Sequence, residues 1–462
     1  MSRPIGSRWA SEAVTTGIVL LTRDLRRIDN PALAAAARDL DEVLPLFVFD
    51  PRLLAGGHAS ANRLTFLLES LEDLDRGLGG GLVTRYGDPV ETALRVAAEA
   101  GATVIDITGD VSGYARRRED RLLREAAGVG IEVRIHPGAA VVEAGGVRPG
   151  GPDHFKDHFA VFTPYHRRWL AAPWRPALPL PARLRLTRGI RSDPRPVRPP
   201  IVSPNLPRGG ETAGRSRLDG WLADGVTHYA ALADDLAADA TSRLSPYLHL
   251  GCVSPLEVAR RSLAAGGPGA EAFVRQLCWR DFHHQVLAAR PDLPTADYRP
   301  RGDRWRNDPA AFDRWQEGRT GVPIVDAAMH QLKSEGWIAN RARLVAASYL
   351  VKDLYIDWRL GAAHFQEWLV DGDLASNSGN WQWVAGTGND SRPNRILNPA
   401  RQALRFDPRG EYVRRHLPDR GSEHYPPPLV DHAAASARFR SARRSAGEPG
   451  AKEASERPPG RP

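Results

Sequence analysis

The chain of 462 residues has only two cysteines, Cys252 and Cys278, and only two methionines. Two cysteines cannot build a disulfide framework and leave no Cys-based zinc site. No apolar run approaches the roughly 18 residues that a membrane-spanning helix needs, so no membrane partner is expected. The first sixteen residues lack the apolar core of a signal peptide, which makes the cytoplasm the expected compartment. A G-x-G-x-x-G fingerprint and a P-loop are both missing, which argues against ordinary dinucleotide or nucleoside-triphosphate binding. No internal repeat is visible, which excludes a solenoid.

What the chain does have is positive charge and tryptophan. Lys and Arg number 63 against 55 Asp and Glu, a formal net charge of +8. Arginine carries most of that excess, and its planar guanidinium suits phosphate recognition. Of 12 tryptophans, eight fall between Trp279 and Trp383. With 42% hydrophobic residues the chain can bury a sizeable core, and its length suits about three domains at ~150 residues each.

The first third alternates strand and helix. Strand-like runs at Gly17–Thr22, Val43–Phe49, Leu82–Tyr86, Val104–Thr108 and Ile131–Ile135 are separated by helical patterns with clear start signals. Asn30-Pro31 and Asp88-Pro89 each place a capping side chain before a proline at the first helical position. This pattern predicts an α/β N-terminal domain over residues 16–136, a doubly wound five-stranded parallel sheet, behind a disordered extension at 1–15. Residues 137–208 read as an interdomain linker, with ten prolines between Pro173 and Pro207. From 209 to 432 helical patterns dominate and predict an all-α domain. Residues 433–462 are poor in apolar side chains and read as a disordered basic tail.

Three constellations could carry chemistry. Thr241, Ser242, Arg243, Leu244 and Ser245 place hydroxyls and a guanidinium at a helix start, a setting that suits a diphosphate. A plain Ser/Thr cap with a surface arginine is the simpler reading of that segment alone. Asn340-Arg341-Ala342-Arg343 and the run from Asp371 to Asn377 are polar yet flanked by apolar helix patterns. Buried charges need partners, and Arg343 with Asp371 is the natural pair. The tryptophans Trp279, Trp305, Trp337, Trp358, Trp381 and Trp383 could be core, an electron path made of oxidisable rings, or stacking platforms for unpaired bases. His154 and His158, with Asp153 and Asp157, have i,i+4 spacing but no third strong ligand, so no metal is expected. His283 and His284 are adjacent and point in different directions on a helix, which is not a paired site.

Taken in order, TRDLRRIDNPAL, VFTPYHRRW, TSRLSPYLHLG, QLCWRDF, GVPIVDAAMHQL, NRARLVAASYLVKDLYIDWR and DGDLASNSGNWQW resemble the DNA photolyase/cryptochrome family. The resemblance runs from about Thr16 to Pro418 and is most like a bacterial class I cyclobutane pyrimidine dimer photolyase. It implies an α/β domain, a linker and a helical FAD-binding domain. It further implies light-driven repair of pyrimidine dimers in UV-damaged DNA by a monomer whose active cofactor is reduced FAD. Thr241, Ser242, Arg243, Leu244, Ser245 and Tyr229 match FAD contacts. Asn340, Arg343 paired to Asp371, Asp373, and Asn377 facing the flavin N5 match positions around the ring. Trp381, Trp358 and Trp305 match the family's chain of three tryptophans that photoreduces the flavin. Gln276, Trp279, Arg341, Leu344 and Trp383 match the lesion pocket, and Arg395 a phosphate contact. For the antenna of the α/β domain, VFDPRLL and GDVSGYARRRED resemble the 8-hydroxy-5-deazaflavin type more than the methenyltetrahydrofolate type.

Three positions depart from the dimer-photolyase pattern. Gln276 stands where Glu is usual and Leu344 where Met is common. The segment Asp390–Arg395 lacks an aromatic residue and is one residue shorter. Gln at the first position is common in (6-4) photolyases and animal-type cryptochromes. Asn340 and Leu344, however, occupy the sites of the (6-4) catalytic histidine pair. Dimer repair is therefore expected, with a (6-4) photolyase or a cryptochrome-like blue-light photoreceptor as the alternatives.

Overall fold

A computed structural model describes residues 14–55, 60–150, 157–200, 202–389 and 392–447. Five parallel strands, β1 (Thr16–Leu21), β2 (Glu42–Phe49), β3 (Val83–Tyr86), β4 (Val104–Thr108) and β5 (Glu132–His136), form one sheet in the order β3-β2-β1-β4-β5. Helices alternate with them, the longer ones being α1 (Pro31–Asp39), α2 (Ala61–Gly77), α3 (Pro89–Ala100) and α4 (Gly113–Gly128). The cap reading holds at both places, because Asn30 accepts from the Leu33 N–H and Asp88 from the Val90 and Glu91 N–H groups. β1 is buried along its whole length, as a central strand covered on both faces must be.

The two faces of β1 and β2 do different work. Ile18, Leu20, Leu44 and Leu46 pack with Val90, Val96 and Leu122 of α3 and α4 in a core confined to this domain. Val19, Leu21, Phe47 and Phe49 belong to a second core that runs on into the helical region through Leu244, Phe282 and Trp337. Polar contacts reinforce that junction. Arg26 donates to the Gly251 and Gly138 carbonyls, and Glu211 accepts from the backbone of Arg27 and Ile28. Gly251 has φ +67°, and a Cβ there would stand 1.9 Å from the Arg23 carbonyl. Only glycine lets the two chains approach so closely.

The proline-rich stretch runs extended along the β3 side of the sheet. Leu186 bridges Val43, and Asp193 receives the Tyr86 N–H and the Thr84 hydroxyl. Those bonds cover an edge that would otherwise present unpaired backbone groups. The helices that build the functional site are α5 (Ser245–His249), α6 (Gly267–Ala289), α7 (Asn340–Ser348), α8 (Trp358–Trp368) and α9 (Leu374–Ala385).

The expected disordered tail over 433–462 is corrected in its first half. A last helix, α10, runs from His432 to Gly447 and docks on the helical domain. Low apolar content concealed how it is held. Phe439 is only 1% exposed and lies 4.1 Å from the Lys352 ammonium. His432 reaches Asp353 at 2.5 Å, and the nearly buried Arg443 meets Asp303 at 2.8 Å. One aromatic anchor, the His432–Asp353 hydrogen bond and the nearly buried Arg443–Asp303 ion pair thus replace a conventional apolar stripe. The extension at 1–13, His154, Asp153, Asp390, Ser391 and residues 448–462 lie outside the described residues.

Candidate active site

The five site helices and the loop before α5 enclose a cavity of about 420 Å³. Its volume lies in the ~300–1,000 Å³ range of small-molecule sites. Tyr229, Thr241, Ser242, Arg243, Leu244, Ser245, Asn340, Arg343, Asp371, Asp373 and Asn377, separated by up to 148 positions in sequence, all line it. Gln276, Trp279, Leu344, Trp381 and Trp383 line it too.

At the start of α5 the backbone of Arg243 is left-handed, with φ +51°. Its guanidinium is held by Asp239 and Glu335, both at 2.7 Å, and lies 4.3 Å from the Trp337 ring. The indole N–H of Trp337 donates to Ser245 Oγ at 3.0 Å. Arg243 is therefore a structural cation with two carboxylate partners rather than a bare phosphate clamp. Thr241 Oγ1, His249 Nδ1, His283 Nδ1 and Asp371 Oδ1 are buried with no hydrogen-bond partner among the described residues. Buried polar atoms are rarely left so, and four of them around one cavity fit a polar ligand such as a flavin dinucleotide.

The acidic wall is tied down on each side. Arg343 donates to Asp371 Oδ2 at 2.7 Å and to the Ile338 carbonyl at 2.9 Å. Asp373 caps α9 by accepting from the Ser376 N–H at 2.8 Å. Its other oxygen takes Arg23 at 2.7 Å and His284 at 3.3 Å. Burial acts to raise the Asp373 pKa, but His284 and Arg23 outweigh it and hold the carboxyl well below its ordinary range. Arg23 also meets Asp110 at 3.2 Å, at the carboxyl end of β4, and donates to the His249 carbonyl. His283 is pushed down to about 4 by burial and stays neutral. The Asn377 amide nitrogen is committed to the Ala362 carbonyl at 2.9 Å and approaches Gln366 Oε1 at 3.4 Å. Neither bond uses its Oδ1.

Sequence reasoning missed Arg23, His249, His283 and His284. Arg23 stands in a segment whose peculiarity was visible, but its carboxylate partner lies 350 positions away. The two adjacent histidines do diverge: His284 turns to Asp373 while His283 lines the cavity.

At the mouth, Trp279 is stacked face to face on Phe162, with centroids 3.7 Å apart, and Trp383 has the Arg395 guanidinium 5.3 Å from its ring centre. Arg341 does not line the cavity. It pairs with Asp234 at 2.7 Å and lies over Phe406 at 4.2 Å. Trp358 and Trp305 are also outside the lining. Trp381, 2% exposed, packs on α8 so closely that a Cβ at Gly361 would fall 2.2 Å from its ring. Trp358 begins the same helix, is fully buried, and donates to Asp297 at 2.9 Å. Trp305 is half-buried and touches Tyr355, three residues before Trp358. His158, the described member of the i,i+4 pair, bonds Asp157 and Tyr298.

Residues 17–183 match the family described as DNA photolyase, and residues 273–421 match the FAD binding domain of DNA photolyase. A relative from Streptomyces griseus named deoxyribodipyrimidine photo-lyase is 51% identical, covering 93% of this chain and 99% of its own. This chain belongs to the DNA photolyase family. Among solved structures, a bacterial class III photolyase from Agrobacterium tumefaciens aligns with TM-score 0.87 at 30% identity, over 96% of this chain and 99% of its own. A cryptochrome from Synechocystis aligns with TM-score 0.86 at 27% identity, over 93% of this chain and the whole of its own. The photolyase FAD-binding domain begins within α6 and takes in α7, α8 and α9, so four of the five helices that enclose the cavity belong to it.

Proposed function

We infer that the protein is a light-driven DNA repair enzyme that binds FAD in this cavity and splits cyclobutane pyrimidine dimers. The observation that carries the reading is one continuous cavity, with the cofactor-binding groups inside and Gln276, Trp279, Leu344 and Trp383 grouped with them. When bound, reduced FAD supplies the light absorption and the electron that opens the cyclobutane ring. The chain's own residues do the rest. Thr241, Ser242, Leu244 and Ser245 offer hydroxyl and backbone donors to the diphosphate, with Tyr229 beside them. Arg343 keeps Asp371 in place, and Arg23 with His284 keeps Asp373 ionised at the ring edge. Asn377 presents an amide oxygen whose orientation is fixed through its nitrogen. Trp381, Trp358 and Trp305 form a path along which electrons reach the cavity wall from the surface.

Trp279 and Trp383 give the flipped lesion two aromatic faces, and Gln276 offers it both a donor and an acceptor. Arg395, beside Trp383, meets the flanking phosphate, and Arg341 lies further out. The arginine excess adds affinity for DNA of any sequence that weakens with salt. Leu344 and Asn340 place no imidazole where the (6-4) reaction needs its histidine pair, which favours the dimer. The protein works as a cytoplasmic monomer; no helix among the described residues is long and apolar enough to cross a membrane.

In the α/β domain, Tyr114 donates to Asp50, which also holds Arg52 at 2.7 Å. The Arg52 and Arg118 guanidinium groups lie 5.6 and 5.8 Å from the Tyr114 ring. This surface of arginines stacked on a tyrosine, at the carboxyl end of the sheet, suits a planar aromatic antenna such as 8-hydroxy-5-deazaflavin, which is favoured over a folate. The deciding experiment illuminates the reduced protein with oligonucleotides carrying either the cyclobutane dimer or the (6-4) product. Restoration of the dimer alone is expected. Restoration of only the (6-4) product would reverse the substrate assignment, and restoration of neither would favour a photoreceptor.

A further inference from the structure

The last carbonyls of α9 have no amide partner within the helix, and Ala385, which ends it, is fully buried. Two cations from elsewhere in the chain meet the Ala385 carbonyl. Lys352 donates to it at 3.0 Å and Arg443 of α10 at 2.6 Å. Lys352 lies in a π-type turn, Tyr349–Asp353, that follows α7, and it is 1% exposed. Such turns are rare and occur frequently at functional sites. The same ammonium donates to the Pro393 carbonyl at 3.0 Å, with the Phe439 ring centre 4.1 Å from its nitrogen. Gly386, with φ +81°, lets the two carbonyl-bearing segments close together, because a Cβ there would stand 2.1 Å from the Pro393 oxygen.

Burying an ammonium is unfavourable unless its donors are satisfied. Here the negative end of the α9 macrodipole and a second carbonyl satisfy it. Arg443 alone would cap Ala385. What Lys352 adds is the contact with Pro393, and that joins two stretches of chain. Trp383 stands two residues before Ala385, and Arg395 two residues after Pro393. The Arg395 guanidinium is 5.3 Å from the Trp383 ring centre. Ser348, at the end of α7, adds a second tie by accepting the Leu397 N–H at 3.3 Å. Lys352 itself is outside the cavity lining, so it acts through these neighbours.

We propose that Lys352 is a positioning residue for lesion recognition, its buried ammonium holding Trp383 and Arg395 in one arrangement before DNA arrives. The proposal rests on the reading of those two residues as lesion and phosphate contacts. An aromatic face and a guanidinium on separately moving segments each lose freedom when DNA binds, and that loss weakens binding. Tied through one ammonium, they present the stack and the phosphate contact as a unit. Lysine suits the task because its compact head donates in several directions from one nitrogen, whereas a guanidinium donates in one plane. The two contacts are then coupled, and removing either partner lowers the worth of the other.

The test is a double-mutant cycle on the FAD-loaded protein, read as the Kd for dimer-containing DNA at equal flavin content. In the unaltered protein W383A and R395Q together should cost less than the sum of their separate effects. K352M removes the charge and keeps an unbranched side chain. It should weaken dimer binding about tenfold, lower the salt slope by about one and make the two substitutions additive. A lysine with a purely structural role would lower thermal stability on removal and leave the coupling in place. If K352M does not load FAD, K352Q, which removes the charge and keeps a polar end, takes its place. Coupling retained without Lys352, a Kd unchanged in K352M, or no coupling in the unaltered protein would each overturn the assignment of Lys352 alone. If W383A and R395Q each leave the Kd of the unaltered protein unchanged, the lesion-pocket reading fails and the proposal with it.

Discussion

Replacing Arg23 with methionine should expose how strongly the α/β domain holds the wall of the cavity. The side chain is 22% exposed and neutralises two carboxylates, Asp110 and Asp373, each 9% exposed. Asp110 shows the scale. Burial would raise its pKa, yet Arg23 first and His284 second bring it down from 3.8 to about 2. At about 1.4 kcal/mol per unit, that difference is worth about 2–3 kcal/mol at neutral pH. Asp373 is lowered as well, with His284 to share the work. Leaving a buried carboxylate without its partner costs about 3–5 kcal/mol, so R23M should lose about that much at pH 7. The pH dependence has a definite sign. In the unaltered protein Asp110 binds fewer protons folded than unfolded. Its contribution is complete above about pH 4 and fades as the pH falls toward about 2. In R23M both carboxyls keep their burial and lose Arg23, with His284 left as a cation beside them, so their folded values rise. The deficit of the variant therefore shrinks as the pH falls through those raised values. Urea denaturation followed by circular dichroism at pH 7 and pH 4 measures the two deficits. In a D373N background the same substitution should cost less, because one of the two orphaned charges is gone. A deficit below about 1 kcal/mol at pH 7, or one equal at both pH values, would refute this account of Arg23.

Two other outcomes follow from the mouth of the cavity and from the last helix. W383A should weaken binding of dimer-containing DNA by about 1–3 kcal/mol, the scale of one base–aromatic stack. Titration with labelled oligonucleotide measures it, and an unchanged Kd would take Trp383 out of the lesion pocket. F439A should destabilise the helical domain by about 3–5 kcal/mol, as removal of a buried phenylalanine does. If thermal unfolding is unmoved, α10 is not held by the contacts described.

Local patterns made the strands, the caps and the Arg343–Asp371 pair legible, because each is decided within a few residues or by a single charge that must be matched. The same logic failed at α10, where the sequence between His432 and Gly447 reads as solvated. Its anchors are Lys352, Asp353 and Asp303, partners from elsewhere in the chain. Arg341 sits beside cavity residues in sequence yet points to Asp234. On a helix, neighbours in sequence point in different directions, and Arg343 faces inward while Arg341 does not.

Arg23 shows why the cavity cannot be understood from the helical domain alone. The sheet order puts the carboxyl ends of β1 and β4 side by side, and Arg23 and Asp110 follow those two strands. In a doubly wound sheet that junction is the expected ligand crevice. Here the crevice holds no glycine-rich loop. It presents Arg23, which reaches to His249 and Asp373 of the helical domain. The place where a related topology binds a nucleotide directly is used here to set the charge on a carboxylate that lines the cavity. A displacement of the sheet relative to α9 would then be felt at Asp373, which Arg23 holds directly. The core shared by Val19, Phe47, Phe282 and Trp337 resists such a displacement. The apolar contact keeps the two regions in register, and the ion pairs turn that register into an electrostatic setting at the cavity wall.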